Sequence, residues 1–383
     1  MKGQRLLLVE RATVEDLAAA ISRLREEGAR SFMLLACEGD DWDPAILSVW
    51  LNTVDVPVFG GIFPSIIHGA KCHRHGTLVV GFPAHAEVAV VKRLSDRAGV
   101  DPQLLASAAQ LEGSESLIVL FDGLCPNLEG FVESLYAIIG LRAVVVGGGA
   151  GHLDLVQQPC LLTNAGVFED SALLVALPGV IDRGMAHGWQ LLSGPFLVTR
   201  SEGNLLVELN YQPALEVYRT QVEAHSGWRF ADTDFFSISK TFPLGIEGVD
   251  GDFLVRDPIK QAGDALVCVG EVPQNATVYL LKGEAGALIA SAGEAALAAC
   301  AQRRRRGNVT DAPDAMVFDC ISRVLFLGAA FNEELAAIEA ALIDCGEVFG
   351  ALTIGEITSS RAGVIELMNK STVVALIEMT PQP

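Results

Sequence analysis

Three of the chain's seven histidines crowd the stretch HGAKCHRHG, where His68, His73 and His75 surround Cys72. Imidazole and thiolate are zinc's preferred ligands and imidazole is a common axial ligand of haem iron, so the stretch raises a metal site or a haem contact. On a strand, however, His73 and His75 share one face and Cys72 takes the other, so the three cannot converge on one ion without a bend. Lys71 and Arg74 alternate with them as they would on a solvated strand edge. The reading is therefore ordered: hairpin edge first, a haem contact second, zinc last. His68 follows Ile66-Ile67 and precedes Gly69, a position from which it could face a pocket at the start of the hairpin.

A second histidine stands in MAHGWQ. Beside His187, Gly188 would let a planar ligand approach the backbone and Trp189 could pack against it. The plain alternative is a hydrogen-bonded histidine at a domain junction. Arg256, before Asp257 and Pro258, and Arg323, after the strand ending at Cys320, stand at strand ends. Two such arginines could clamp a carboxylate, whether of an amino acid or of a haem propionate; equally, buried Arg–Asp pairs could fix turns. Glu356, after the turn at Gly355, could receive an ammonium group. Cys320 has no neighbouring base and reads as a small buried residue rather than a nucleophile.

Other motifs fail. The run Gly147-Gly148-Gly149-Ala150-Gly151 follows a strand but is not GxGxxG, because His152 holds the last place and no amphipathic helix follows. There is no Walker A sequence, no HExxH and no GxSxG. No catalytic constellation is visible, and no enzymatic activity is expected.

The elements that must position these residues alternate short β-rich runs with helical patterns. RLLLVE, SFMLLAC, VPVFGGI, GTLVVGF, AEVAVVK, SLIVLFDGL and RAVVVGGG read as strands; Thr13 caps a helix over VEDLAAAISRLREEG, stopped by Gly28, and Asn127 caps LEGFVESLYAIIG. Near residue 180 the pattern changes to β-like pieces, a helix over PALEVYRTQVEA, a hairpin over FPLGIEGVDGDFLVR, and a helix from Glu284 to Arg306. The run Arg303–Arg306 suits the negative end of that helix, with Gly307 just past it. AMVFDC, NEELAAIEAALIDC, VFGALTIGE and VIELMNKSTVVALIE complete the chain. The pattern predicts an α/β fold, mixed α+β in character, with two domains of mixed sheets covered by helices, over 1–180 and 181–383. No repeat at solenoid periods is apparent.

The 383 residues are 50% hydrophobic and 19% charged, enough for large cores and too apolar for disorder. A net charge of −20 excludes a general nucleic-acid binder. The eight cysteines stand singly with no CxxC, which fits reduced thiols in a cytoplasmic protein. No signal peptide opens the sequence and its apolar runs break too early to span a bilayer, so no membrane partner is expected.

Taken in order, GGIFPSII, GGGAGHLDLVQQPCLLTNAGVFEDSALLVAL, AHGWQLLSGPFLVTRSEGNLLVELNYQPALEVY, FPLGIEGVDGDFLVRDPI, VCVGEV, DCISRVLFLG, GALTIGE and LMNKSTVVALIE resemble a FIST protein, with FIST N and FIST C domains. The resemblance implies a cytoplasmic sensory module that binds a small molecule and signals to a histidine kinase or another signalling protein. It implies two ligand classes. One is haem b, held through one histidine in the nitric-oxide-sensing NosP branch, for which His187 is the first axial candidate and His68 the second, with Trp189 and Arg256 as contacts. The other is an amino acid or similar metabolite. Cys320, Arg323, Gly355, Glu356 and Asn369 match the family's C-x-x-R segment, G-E step and late Asn, and are the expected ligand contacts. His68 and His152 depart from the family pattern. Dimerisation suits a sensor, though the pattern shows no interface.

Overall fold

The structure, a computed structural model, describes residues 5–10, 13–248, 251–307 and 312–378. Local signals act where the sequence places them. Asp16 N–H donates to Thr13 Oγ1 at 3.1 Å, capping helix Val14–Glu26, and Gly28 turns left-handed (φ +99°) just past its end. Asn127 stands at the expected N-cap of Leu128–Ile139 but does not cap it; its Nδ2 donates instead to the Leu94 carbonyl at 2.9 Å. The expected hairpin forms from Leu244–Glu247 and Phe253–Ala262, although Val249 and Asp250 of its turn lie outside the described residues.

The chain repeats one unit three times. Each unit is a lead strand, a helix, a strand, one or two further helices, a second strand parallel to the first, a short hairpin, and a closing strand that returns antiparallel. In the first lobe the strands are Leu6–Val9, Ser31–Cys37, Val58–Phe63, the hairpin Ser65–His68 with Lys71–His73, and Thr77–Phe82. In the second they are Glu87–Lys92, Ser116–Asp122, Val144–Ala150, the hairpin Leu161–Thr163 with Gly166–Phe168, and Ser171–Ala176. In the third they are Asp182–Ala186, Asp314–Cys320, Val348–Thr353, the hairpin Glu356–Ser359 with Ile365–Met368, and Thr372–Ile377. The register repeats as well. Gly60 pairs with Leu34, Gly147 with Val119 and Gly350 with Val317, each a glycine in the second strand beside the middle of the first.

No lobe keeps its own hairpin. The first lobe's hairpin adds to the third lobe's sheet through Ile67↔Gly350, the third's adds to the second through Ile357↔Gly147, and the second's adds to the first through Leu162↔Gly60. Three six-stranded mixed sheets result, closed in a ring. Their second strands meet at the centre, and glycines stand at the closest approaches. A Cβ on Gly148 would lie 2.5 Å from Thr353 Cγ2, and one on Gly61 would lie 3.0 Å from the Ala150 Cβ. Phe59, Phe63, Ile118, Val146, Phe318, Phe349 and Ala375 fill one continuous core from all three lobes. Helices cover the outer faces of the second and third sheets, as the α/β class predicts. The hairpins cross the division at residue 180 in both directions.

A seven-stranded antiparallel sheet, Gln190 to Lys282, is inserted between the third lobe's lead strand and its helix Ala285–Arg306. It has its own core around Val198, Tyr218, Phe242 and Leu280. Helix Ala285–Arg306 is, among the described residues, the one helix long and apolar enough to cross a membrane by length and composition. Here it lies on the edge strand Asp182–Ala186. Gly184 makes that contact possible, because a Cβ there would sit 2.0 Å from the Ala295 carbonyl. The four arginines close the helix as expected: Arg303 pairs with Glu378 at 3.0 Å, Arg306 with Asp182 at 2.6 Å, and Gly307 follows at φ +70°.

Candidate functional site

The residues matched to the family pattern converge on one place, where the third lobe meets the inserted sheet. Arg323, in the first turn of helix Ile321–Leu327, is fully buried. Its guanidinium forks onto Glu334, with Nε to Oε1 at 2.9 Å and Nη2 to Oε2 at 2.6 Å. It also donates to the carbonyls of His187 (2.6 Å), Leu288 (2.8 Å) and Lys370 (3.3 Å), and lies 3.3 Å from Asp319 Oδ1. Glu356 accepts from Thr353 Oγ1 at 2.7 Å and Ser371 Oγ at 2.8 Å. Lys370, left-handed at φ +57°, reaches Asp257 at 3.0 Å and the Lys240 carbonyl at 3.1 Å, and lies 4.7 Å from the centre of the Trp189 ring. Arg256 donates to the Glu271 carbonyl at 2.9 Å and the Val255 carbonyl at 3.0 Å, and Asn369 to the Val269 carbonyl at 3.3 Å. Gly355 supplies the left-handed turn (φ +85°) that turns Glu356 inward.

This cluster is a sealed joint. Every donor direction of Arg323 is taken by the protein, and none of Cys320, Arg323, Glu356, Asn369 and Arg256 lines any of the five described cavities. The expected carboxylate clamp and ammonium seat are thus occupied by the chain's own groups. Arg256 and Asp257 do not pair with each other; Asp257 serves Lys370. Burial pushes the Cys320 thiol far above its ordinary range.

Burial also pushes the Glu356 carboxyl up to about 7, against the opposing hydrogen bonds of Thr353 and Ser371. A carboxyl raised on folding stabilises most below its unfolded value near 4.5 and loses that contribution as pH rises through about 7. The span corresponds to about 3 kcal/mol at most. Urea melts of Glu356→Gln between pH 5 and 8 are expected to show a flatter stability profile than the parent. A residual slope remains from Asp319, whose carboxyl burial and the nearby Glu334 also raise.

Open space lies on the other side of His187. Two adjoining cavities, of about 440 and 420 Å³, share Met185, Asp252, Ala298 and Arg361 and form one groove. The edge strand Asp182–Ala186 is its floor and helix Ala285–Arg306 its wall, through Ala287, Ala290, Ser291, Glu294, Ala298 and Gln302. Arg183 and Arg305 line the cavity away from His187, Glu294 lines the cavity beside it, and Asp252 and Arg361 line both. No motif announced these five charges. They come from four separate segments, and only the fold assembles them.

Haem fits this groove poorly. His187 Nδ1 accepts the Trp189 N–H at 2.9 Å, which spends that lone pair and leaves the ring proton on Nε2. Burial holds the imidazole neutral, lowering it to about 4, but iron needs a free ring lone pair and none is presented. The polar lining around it, with Gln190, Ser291, Asp252 and Glu294, is not a porphyrin slot. Trp189 turns inward, 3% exposed, its indole N–H on the Lys370 carbonyl at 3.0 Å and its ring edge-on to Phe326 at 5.3 Å. Gly188 admits the helix rather than a ligand, since a Cβ there would lie 2.5 Å from Ser291 Oγ.

His68 lies on the hairpin as read, its Nε2 3.8 Å from Glu347 and its ring 6.4 Å from that of His73. The strand Lys71–His73 is the outer edge of its sheet. Among the described residues no group of three or more His, Cys, Asp or Glu side chains could hold a metal ion.

Family models match the chain in two consecutive stretches: the FIST N domain over residues 31–212 and the FIST C domain over 214–359. The chain is a FIST protein. FIST domains are sensory ligand-binding domains of signal transduction that pass their signal to partner proteins. No curated protein matches the chain significantly. In this FIST protein the two matched stretches interlock. The groove takes its floor from the FIST N stretch, its wall from the FIST C stretch, and Ser360 and Arg361 from just beyond.

Proposed function

We propose that this FIST protein senses a small zwitterion of the amino-acid class in the groove between strand Asp182–Ala186 and helix Ala285–Arg306, and performs no chemistry on it. The observation that carries this reading is the charge layout. Cations at Arg361 and Arg305 suit a carboxylate, and Asp252 and Glu294, lining the same groove, suit an ammonium group. The neutral His187 supplies a polar, uncharged contact beside them. Bound ligand would favour one setting of the helix, and a partner signalling protein, of which a histidine kinase is one kind, would read it. Localisation in the cytoplasm belongs to the same proposal.

A thermal-shift screen of free amino acids tests it. A true ligand raises the melting temperature with concentration, by an amount set by its free concentration relative to Kd. The amino-acid methyl ester and the decarboxylated amine are expected to give little or no shift, and Arg361→Ala to weaken the response at least tenfold. Shifts that are equal for acid, ester and amine would overturn the zwitterion reading. The haem alternative, with nitric oxide as the signal, requires the Trp189 amide to give up His187. Titration with haemin is therefore expected to produce no Soret band that depends on His187; a band lost in His187→Ala and kept in His73→Ala would restore it.

A further inference from the structure

Helix Ala285–Arg306 has a second neighbour on the side away from the groove. Helix Phe331–Ala341 packs along it, with Gly293 facing the Ala337 carbonyl, 3.4 Å from where a Cβ would stand. Seven residues on, Cys300 occupies the same stripe, its Sγ 3.9 Å from the Ala341 carbonyl. Just beyond, the turn Leu342–Gly346 brings the Cys345 thiol within hydrogen-bonding reach of Cys300. Both residues are partly exposed.

We propose that Cys300 and Cys345 form a peroxide-driven, reversible dithiol–disulfide site. The Cys300 thiolate attacks the peroxide O–O bond, taking one oxygen as sulfenic acid and releasing hydroxide or alkoxide. The Cys345 thiol then attacks that sulfur, the new S–S bond forms and water leaves; the two thiols are oxidised by two electrons and the peroxide is reduced by two. A small dithiol reductant reverses the step.

Three further observations support it. The neighbouring Cys345 thiol and the Arg304 guanidinium hold the Cys300 thiol below its ordinary value, against the opposing effect of burial. Asp344 opposes this from the same turn, and Arg303 assists from the helix. The contrast within the chain is sharp: burial pushes the thiols of Cys37, Cys125 and Cys268 up to about 12, and Cys160 and Cys320 are raised and buried too. Finally, Cys345 sits in a turn, which can close the remaining distance to bonding geometry more readily than a residue inside a helix can. The thiol pair is independent of the zwitterion reading, though the disulfide would tie the groove's wall to the third lobe.

The full-length protein, reduced and then treated with one to a few equivalents of hydrogen peroxide at pH 7.5, gives the test. Intact mass is expected to fall by two hydrogens, peptide mapping to find Cys300 linked to Cys345, and thiol labelling to lose two sites that dithiothreitol restores. Cys345→Ser is expected to stop at the Cys300 sulfenic acid, trapped by dimedone, and Cys300→Ser to give neither product. A disulfide involving any other cysteine, or Cys300 labelling no faster than Cys72 in the folded protein, would overturn the assignment.

Discussion

Arg323→Met is expected to cost the folded protein about 3–5 kcal/mol, enough to unfold much of it at room temperature. Arg323 is the cation paired with Glu334 and beside Asp319, all three wholly buried, and it ties the carbonyls of His187, Leu288 and Lys370 from three separate segments. Removing the guanidinium leaves carboxylates without a counter-ion and carbonyls without donors, in a place water does not reach. Arg323→Lys should fare nearly as badly, because an ammonium cannot fork onto Glu334 and reach those carbonyls together. Urea denaturation measures both. A loss below about 1 kcal/mol for Arg323→Met would mean that the guanidinium is not what ties the segments flanking the inserted sheet to the third lobe.

The second large effect comes from three glycines. A Cβ on Gly60, Gly147 or Gly350 would stand 1.9, 1.8 or 1.9 Å from the carbonyl oxygen of Leu34, Val119 or Val317 on the neighbouring strand. No rotamer relieves a Cβ clash with backbone, so each Gly→Ala substitution must force a pair of parallel strands away from each other. Each is expected to cost upwards of about 3 kcal/mol, beyond the ordinary range of overpacking. The three losses should be similar, because the three positions are equivalent by repeat. Gly286→Ala is the control: it lies in a helix with nothing within 4 Å of the added carbon, and should be neutral or stabilising by up to about 1 kcal/mol. Melting curves of the four variants decide it, and one tolerated core alanine would break the equivalence.

That equivalence marks the limit of what the sequence shows on its face. Individual elements were legible because their causes are local: Thr13 caps, the arginines end a helix, and Lys71 and Arg74 mark a solvated edge. The threefold unit was harder to see because its copies start about ninety residues apart and the third carries a whole inserted sheet. The trace is there in VFGGI, VVGGG and VFGAL, where the same glycine serves the same close approach. The site divides the same way. Arg323, Glu356 and Asn369 do gather in one place, but sequence could not show that each would be satisfied by other groups of the chain, Arg323 by Glu334 and backbone carbonyls, Glu356 by Thr353 and Ser371, and Asn369 by the Val269 carbonyl. Nor could it show the groove, because Arg183, Asp252, Glu294, Arg305 and Arg361 carry no shared spacing. His187 was found for its neighbours, and Trp189 and Gly188 line the groove with it while also packing against the protein interior.

The traded hairpins have a consequence for how the molecule can come apart. Since every sheet borrows its outermost pair of strands from another lobe, lifting out any one lobe exposes a bare edge on a second and strands a hairpin from the first. The loss passes around the circle until nothing is complete. Such a ring has no weak lobe to shed: its three lobes are expected to hold together or dissolve together.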